Sequence, residues 1–130
     1  MSTTPESSTA EPATSVSAAQ RLVGDIAPKL ADLTDDVLFG DVWARPQLAR
    51  RDRSLITVAT LVAGGSTEQL VGHLRIAKNN GLSEDELVEA ITHLAFYAGW
   101  PRAMSAIAVA KKVFAEDREN DDHESSGDAR

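Results

Sequence analysis

Glu86, Glu89, His93 and Tyr97 follow one another at intervals of three, four and four residues. In a helix that spacing puts all four on one side. A carboxylate beside an imidazole holds its tautomer and raises its pKa, which suits a general acid or base. Glu89 lies one turn before His93 and Tyr97 one turn after it, so a relay through the three is one expectation. A solvated or interfacial stripe has the same spacing, and spacing by itself favours that blander reading.

A second polar set is Glu68 and His73, five residues apart and so not stacked on one helical face. Alone, His73 reads as a core or interface histidine between Leu70, Leu74 and Ala77. Glu68 reads as a first-turn charge favoured by the helix dipole. Arginines stand at 45, 50, 51, 53 and 75. A guanidinium fork binds both oxygens of a carboxylate, so these are candidates for an acidic ligand. Arg50 and Arg51 read as the solvated start of a helix, partly paired with Asp52. Arg53 stands directly before an apolar run and is the stronger candidate. Other chemistry is missing from the pattern. Gly64-Gly65 lacks the surroundings of a phosphate loop, and no close His/Asp set has metal-ligand spacing.

The elements that must position these side chains read as helices throughout. Leu22, Ile26, Ala27 and Leu30 give a first helical segment over 17–32, and a short element over 34–44 is interrupted by Pro46. Leu55, Ile56, Ala59 and Val62 define a helix over 49–63, ended by Gly64-Gly65. Ser66 with Gln69 opens the next, which Asn79-Asn80-Gly81 stops. Ser83 with Glu86 forms a capping box for a helix over 83–98, with Leu87, Ile91, Leu94 and Ala98 as its core stripe. Gly99 and Pro101 separate it from a last helix over 101–116. The expected class is all-α, a bundle of about six helices.

Apolar residues make up 42% of the 130-residue chain, enough for one core. Residues 1–16 and 116–130 together carry the whole net charge of −7. The expected organisation is therefore a disordered tail over 1–16, a helical domain over 17–116 and an acidic disordered tail over 117–130. The balanced middle has no basic surface for nucleic acid. No apolar run approaches a membrane span, and residues 1–16 lack the regions of a signal peptide. The expected location is cytoplasmic. Without cysteine, thiol catalysis and disulfides are excluded. Low aromatic content (5%) and the nearly all-round apolar stretch 54–63 point to a homo-oligomer.

The segments 39–48, 50–63, 68–107 and 109–114 resemble the gamma-carboxymuconolactone decarboxylase family. The most specific matches are H-x-R-x-A-x-x-N-G over 73–81 and H-x-x-x-Y-x-G-x-P over 93–101. The resemblance implies a helical subunit assembling as a trimer or hexamer, and cofactor-free decarboxylation of 4-carboxymuconolactone in aromatic catabolism. It implies a small anionic substrate bound by Arg45, Arg53 and Arg75. His73 or His93 would stabilise the oxyanion or deliver the proton, with Glu68 or Glu89 orienting a histidine and Tyr97 donating a hydrogen bond. In the wider alkylhydroperoxidase-like superfamily a C-x-x-C pair precedes the histidine matched by His73. Here those positions are Ser66 and Gln69, which form no thiolate. The alternatives to the decarboxylase are another cofactor-free lyase or isomerase, and a non-catalytic oligomer that binds a small acid.

Overall fold

The structure, a computed structural model, describes residues 16–128. The tail expected over 1–16 thus lies outside the described residues except for Val16. The chain divides into two compact units, Met1–Pro46 and Gln47–Arg130. Among the described residues all regular structure is helical and no strand occurs.

The first unit holds α1 (Ala18–Val23) and α2 (Pro28–Asp32), then a π-helical stretch (Leu33–Phe39) and a 3₁₀ turn (Val42–Ala44). The single helix expected over 17–32 is therefore two. Pro28 sits at the first position of α2, where its missing N–H is harmless, and it cannot extend α1. Ser17 caps α1 by accepting from the Gln20 amide at 3.0 Å, and its hydroxyl donates to Asp35 at 2.8 Å. Leu22 and Ile26, expected on a packed face, are instead 77% and 82% exposed.

The second unit carries α3 (Arg50–Gly64), α4 (Thr67–Asn79), α5 (Glu84–Leu94) and α6 (Trp100–Asp128). Its core takes Val58 and Val62 from α3, Leu70 and Leu74 from α4, and Leu87 and Ile91 from α5. Against these α6 presents Ala103, Ala106 and Ala110, whose small side chains let it contact α3, α4 and α5. Burying a Leu or Ile completely contributes about 1.5–3 kcal/mol, so these positions hold the unit together.

The stops and starts around this core follow local chemistry. Gly65 ends α3 at φ 72°, and Gly81 and Gly99 follow α4 and α5 at φ 105°, a region that suits glycine. The capping box of α5 is complete: Ser83 Oγ accepts from the Glu86 amide and Glu86 Oε1 from the Ser83 amide, both at 3.0 Å. Ser66 stands at the N-cap of α4 but makes no side-chain capping bond there, so Gln69 completes no box. The Asn80 amide group after α4 donates to the buried Ser54 hydroxyl of α3 at 3.0 Å, which ties those two helices.

α5 ends at Leu94 rather than 98, and residues 95–98 form turns. α6 continues past the expected end at 116 to Asp128. The first residues at and past 116 are held from outside α6. Asp117 accepts from Arg75 Nε and Lys78 Nζ, each at 3.1 Å, and Glu116 from Arg75 Nη2 at 2.9 Å. Arg118 donates to Glu84 at 3.0 Å, and Lys78 to Glu84 at 2.6 Å. The acidic segment that reads as a solvated tail thus begins as the anionic half of a clasp linking α4, α5 and α6.

Candidate functional site

The first turn of α3 and the first turn of α5 meet through a charge pair. Arg51 Nη2 donates to Glu86 Oε2. The other oxygen of Glu86 is held by the Ser83 amide, so both carboxylate oxygens have a defined partner. The Ser83 amide and the Arg51 guanidinium hold the Glu86 carboxyl below the ordinary carboxylate range. Glu86 is therefore ionised at neutral pH.

From this pair a groove of about 460 Å³ runs between the two helices. Leu55, Ala59, Leu82, Ala90 and Leu94 make it apolar, and Arg51, Glu86, Glu89 and His93 supply its polar groups. An apolar concavity with a few polar groups is the usual form of a small-molecule site. Arg51, Leu55 and Ala59 recur every four residues on one face of α3. On α5, Glu86 and Ala90 are four apart, as are Glu89 and His93, so helix periodicity generates both walls.

The structure gathers only part of the sequence-derived set here. Glu89 and His93 line the groove. No hydrogen bond joins them among the described residues, so the relay expected from spacing is not a hydrogen-bonded chain. Tyr97 lies beyond the end of α5 and is 78% exposed. Its ring packs on that of His93, centroids 4.9 Å apart and planes at 31°. It thus meets the imidazole by a ring face rather than by its hydroxyl.

The remaining candidates stand elsewhere. Glu68 is an exposed residue in the first turn of α4. His73 is half-buried on α4, does not line the groove, and burial lowers its pKa below 6.5, which keeps it neutral at physiological pH. Arg75 is engaged by Glu116 and Asp117 in the α4–α6 clasp, where its pKa is raised chiefly by the Asp117 hydrogen bond. Its fork already has carboxylates to bind. Arg53 Nε donates to the Leu48 carbonyl at 3.2 Å, a bond that closes the turn before α3. Arg45 belongs to the first unit.

The arginine that lines the groove is Arg51, not Arg53, the stronger candidate by sequence. A signal for it was present: Arg51 shares the four-residue repeat of Leu55 and Ala59, whereas Arg53 does not. Its partner was not readable, because Glu86 is 35 residues away. The nearby Asp52 lies 3.8 Å from Arg51, too far for a hydrogen bond.

Comparison with known proteins gives this geometry a context. The carboxymuconolactone decarboxylase family matches residues 28–112, which include the groove and every candidate above. A 4-carboxymuconolactone decarboxylase from Acinetobacter baylyi is 46% identical over 78 residues, covering 60% of this chain and 58% of that protein. A nitrosuccinic acid decarboxylase from Metarhizium robertsii is 38% identical over 82 residues, covering 63% of this chain and 57% of that protein. An uncharacterized 15.0 kDa protein from Paracoccus denitrificans is 28% identical over 86 residues, covering 65% and 64%. The chain thus spans less than two thirds of the length of each of these relatives.

Proposed function

This chain belongs to the carboxymuconolactone decarboxylase family, and on that premise we propose that it is a cofactor-free decarboxylase of a small carboxylic acid, 4-carboxymuconolactone or a close analogue. The observation that carries the proposal is the α3–α5 groove, which puts Glu89 and His93 beside an apolar bed inside the family-matched region. The names of two relatives, 4-carboxymuconolactone decarboxylase and nitrosuccinic acid decarboxylase, add support. Both compounds are dicarboxylic acids in which one carboxyl group stands next to an electron-withdrawing system.

In the lactone, the bond between the ring carbon and its carboxylate breaks and CO2 leaves. The electron pair passes through the ring double bond to the lactone carbonyl oxygen. A proton added to carbon then completes the enol-lactone, so one proton is taken up for each CO2 released. The lactone is its own electron sink, so the protein must desolvate the acid, steady the oxyanion and deliver the proton. Leu55, Ala59 and Ala90 supply the desolvating surface. We assign proton delivery or oxyanion stabilisation to His93, with Glu89 as the neighbouring carboxyl and Tyr97 orienting the imidazole through ring packing.

The test is incubation with 4-carboxymuconolactone, following CO2 and enol-lactone together. His93→Ala is expected to lower turnover on the order of 100-fold with the fold intact, because His93 is exposed. A specific observation favours a second reading of the same reaction: His73 is half-buried with a lowered pKa, and so is a neutral imidazole beside the core. If His73→Ala abolishes turnover while His93→Ala preserves it, the reacting centre lies on α4 near Glu68 and not in the groove.

The reading includes a homo-oligomer, trimer or hexamer. It is supported by an exposed apolar edge after α5, where Phe96 (74%), Trp100 (57%) and Met104 (60%) follow at four-residue spacing. Phe96 and Trp100 pack edge to face at 5.4 Å. Light scattering that returns a monomer at micromolar concentration would remove this part of the proposal.

A further inference from the structure

We propose that Arg51 reads the carboxylate that the substrate keeps, with Glu86 as the positioning residue that aims its guanidinium along the rim of the groove. The inference rests on the decarboxylase reading only for the identity of the acid; the receptor itself is argued from geometry.

The guanidinium fork has one edge for fixation and another for a ligand. Nη2 is committed to Glu86. Among the described residues Arg51 makes no other hydrogen bond, and its next carboxylate, Asp52, is 3.8 Å away from Nη1. Glu86 cannot swing aside freely, since its second oxygen caps α5 through the Ser83 amide. Arg51 is thereby held at one end while spare N–H donors remain at a half-exposed rim, its side chain 41% accessible.

Arg75 has its fork occupied by Glu116 and Asp117, so it offers no comparable receptor. Glu86 carries a charge that would repel an anionic ligand if it stood alone. The Arg51 and Ser83 contacts compensate that charge, and they are the same contacts that keep the carboxyl ionised.

Placement along the groove agrees with this role. Glu86 and His93 are seven residues apart on α5, roughly 10 Å along the axis. An acid anchored at Arg51 would lay its body over the apolar wall and bring its other end to Glu89 and His93.

The test compares a saturated lactone bearing one acetate side chain with its methyl ester, by calorimetric titration. This probe carries the carboxylate that remains after CO2 loss. The wild-type protein is expected to prefer the acid on the order of tenfold, as for hydrogen bonds to a charged group at a half-exposed position. Arg51→Met should erase that preference. Arg51→Lys should restore part of it, because a point charge replaces a fork. Glu86→Gln keeps a capping group for the Ser83 amide but should weaken acid binding and leave ester binding unchanged. A merely structural strap would shift both ligands together.

Persistence of the acid preference in folded Arg51→Met overturns the inference, even if wild type decarboxylates 4-carboxymuconolactone. Wild type that binds neither probe also overturns it. An Arg51-dependent preference in a protein that releases no CO2 upholds the receptor and removes the decarboxylase reading instead.

Discussion

Replacing Asp117 by Asn isolates the clasp that joins α4 to α6. Asn keeps the volume, so no cavity is created, and the change removes only the charge and one acceptor. Two hydrogen bonds from cations are affected, from Arg75 Nε and Lys78 Nζ at 3.1 Å each. The Asp117 and Lys78 side chains are 21% and 26% exposed, and Arg75 is 41% exposed. Hydrogen bonds to charged groups contribute about 1.5–3 kcal/mol when shielded, and exposed ion pairs about 0–1 kcal/mol. The clasp lies between these limits. Arg75 also retains Glu116 at 2.9 Å and Lys78 retains Glu84 at 2.6 Å. The expected loss is therefore about 1–2 kcal/mol, or roughly 4–10 °C in Tm for a chain of this size.

Thermal unfolding followed by far-UV circular dichroism measures it. A double-mutant cycle with Lys78→Met should return a coupling of about 0.5–1 kcal/mol. The pH dependence has a defined sign. Burial pushes the Asp117 carboxyl up, but hydrogen bonds from Lys78 and Arg75 outweigh it and hold the pKa below 3.8. The folded state thus binds the proton more weakly than the unfolded chain. The clasp's contribution is fully present above about pH 3.8 and is lost as pH falls through the lower folded value. An Asp117→Asn protein with unchanged Tm and zero coupling to Lys78 would refute the reasoning. The start of the acidic segment would then be a solvated helix end, not part of the fold.

Three further outcomes follow from the geometry. In the proposed reaction Tyr97→Phe should leave turnover nearly unchanged, whereas Tyr97→Ala should lower it several-fold, since a ring contact contributes about 0.5–1.5 kcal/mol; a large loss in the Phe variant would restore the hydroxyl relay. His73 has a folded pKa below 6.5, so its contribution to stability is complete above about pH 6.5 and falls as pH drops toward the folded value. His73→Asn should flatten that part of the stability profile, and an identical wild-type-like slope in the variant would contradict the assignment. Gly65→Ala forces a left-handed residue (φ 72°) and drives its Cβ against Arg102 Nη1; the cost should be about 1–2 kcal/mol, read as a lower urea midpoint, and an unmoved midpoint would contradict it.

How far each feature could be read depended on the range of its cause. The capping box Ser83–Glu86 and the glycines after α3 and α4 act within a few residues, and they were legible. Glu89 and His93 were legible as one face of α5 because helix periodicity is local. Tyr97 shares that spacing, but the chain leaves α5 at Leu94, and the residue keeps its ring contact while losing the helical frame. Glu86 reads from the sequence as a capping-box residue and a member of the stripe. Only its second duty, anchoring Arg51, needs α3 and α5 side by side. The charge nearest Arg51 in sequence is Asp52, while its hydrogen-bonded partner in space is Glu86. Nothing near Arg75 in sequence shows that Glu116 and Asp117 occupy its fork, so by sequence it remains a ligand candidate.

By itself the sequence determined the helical class, most of the helix limits in the second unit, the absence of cysteine and the family to which 28–112 belongs. These follow from residue type and short-range spacing. Tertiary structure alone decided which arginine faces the groove, which histidine lines it, and how far α6 remains part of the fold. Each of those choices is made between helices, where a guanidinium selects among carboxylates by proximity and burial, and sequence distance carries no information about either.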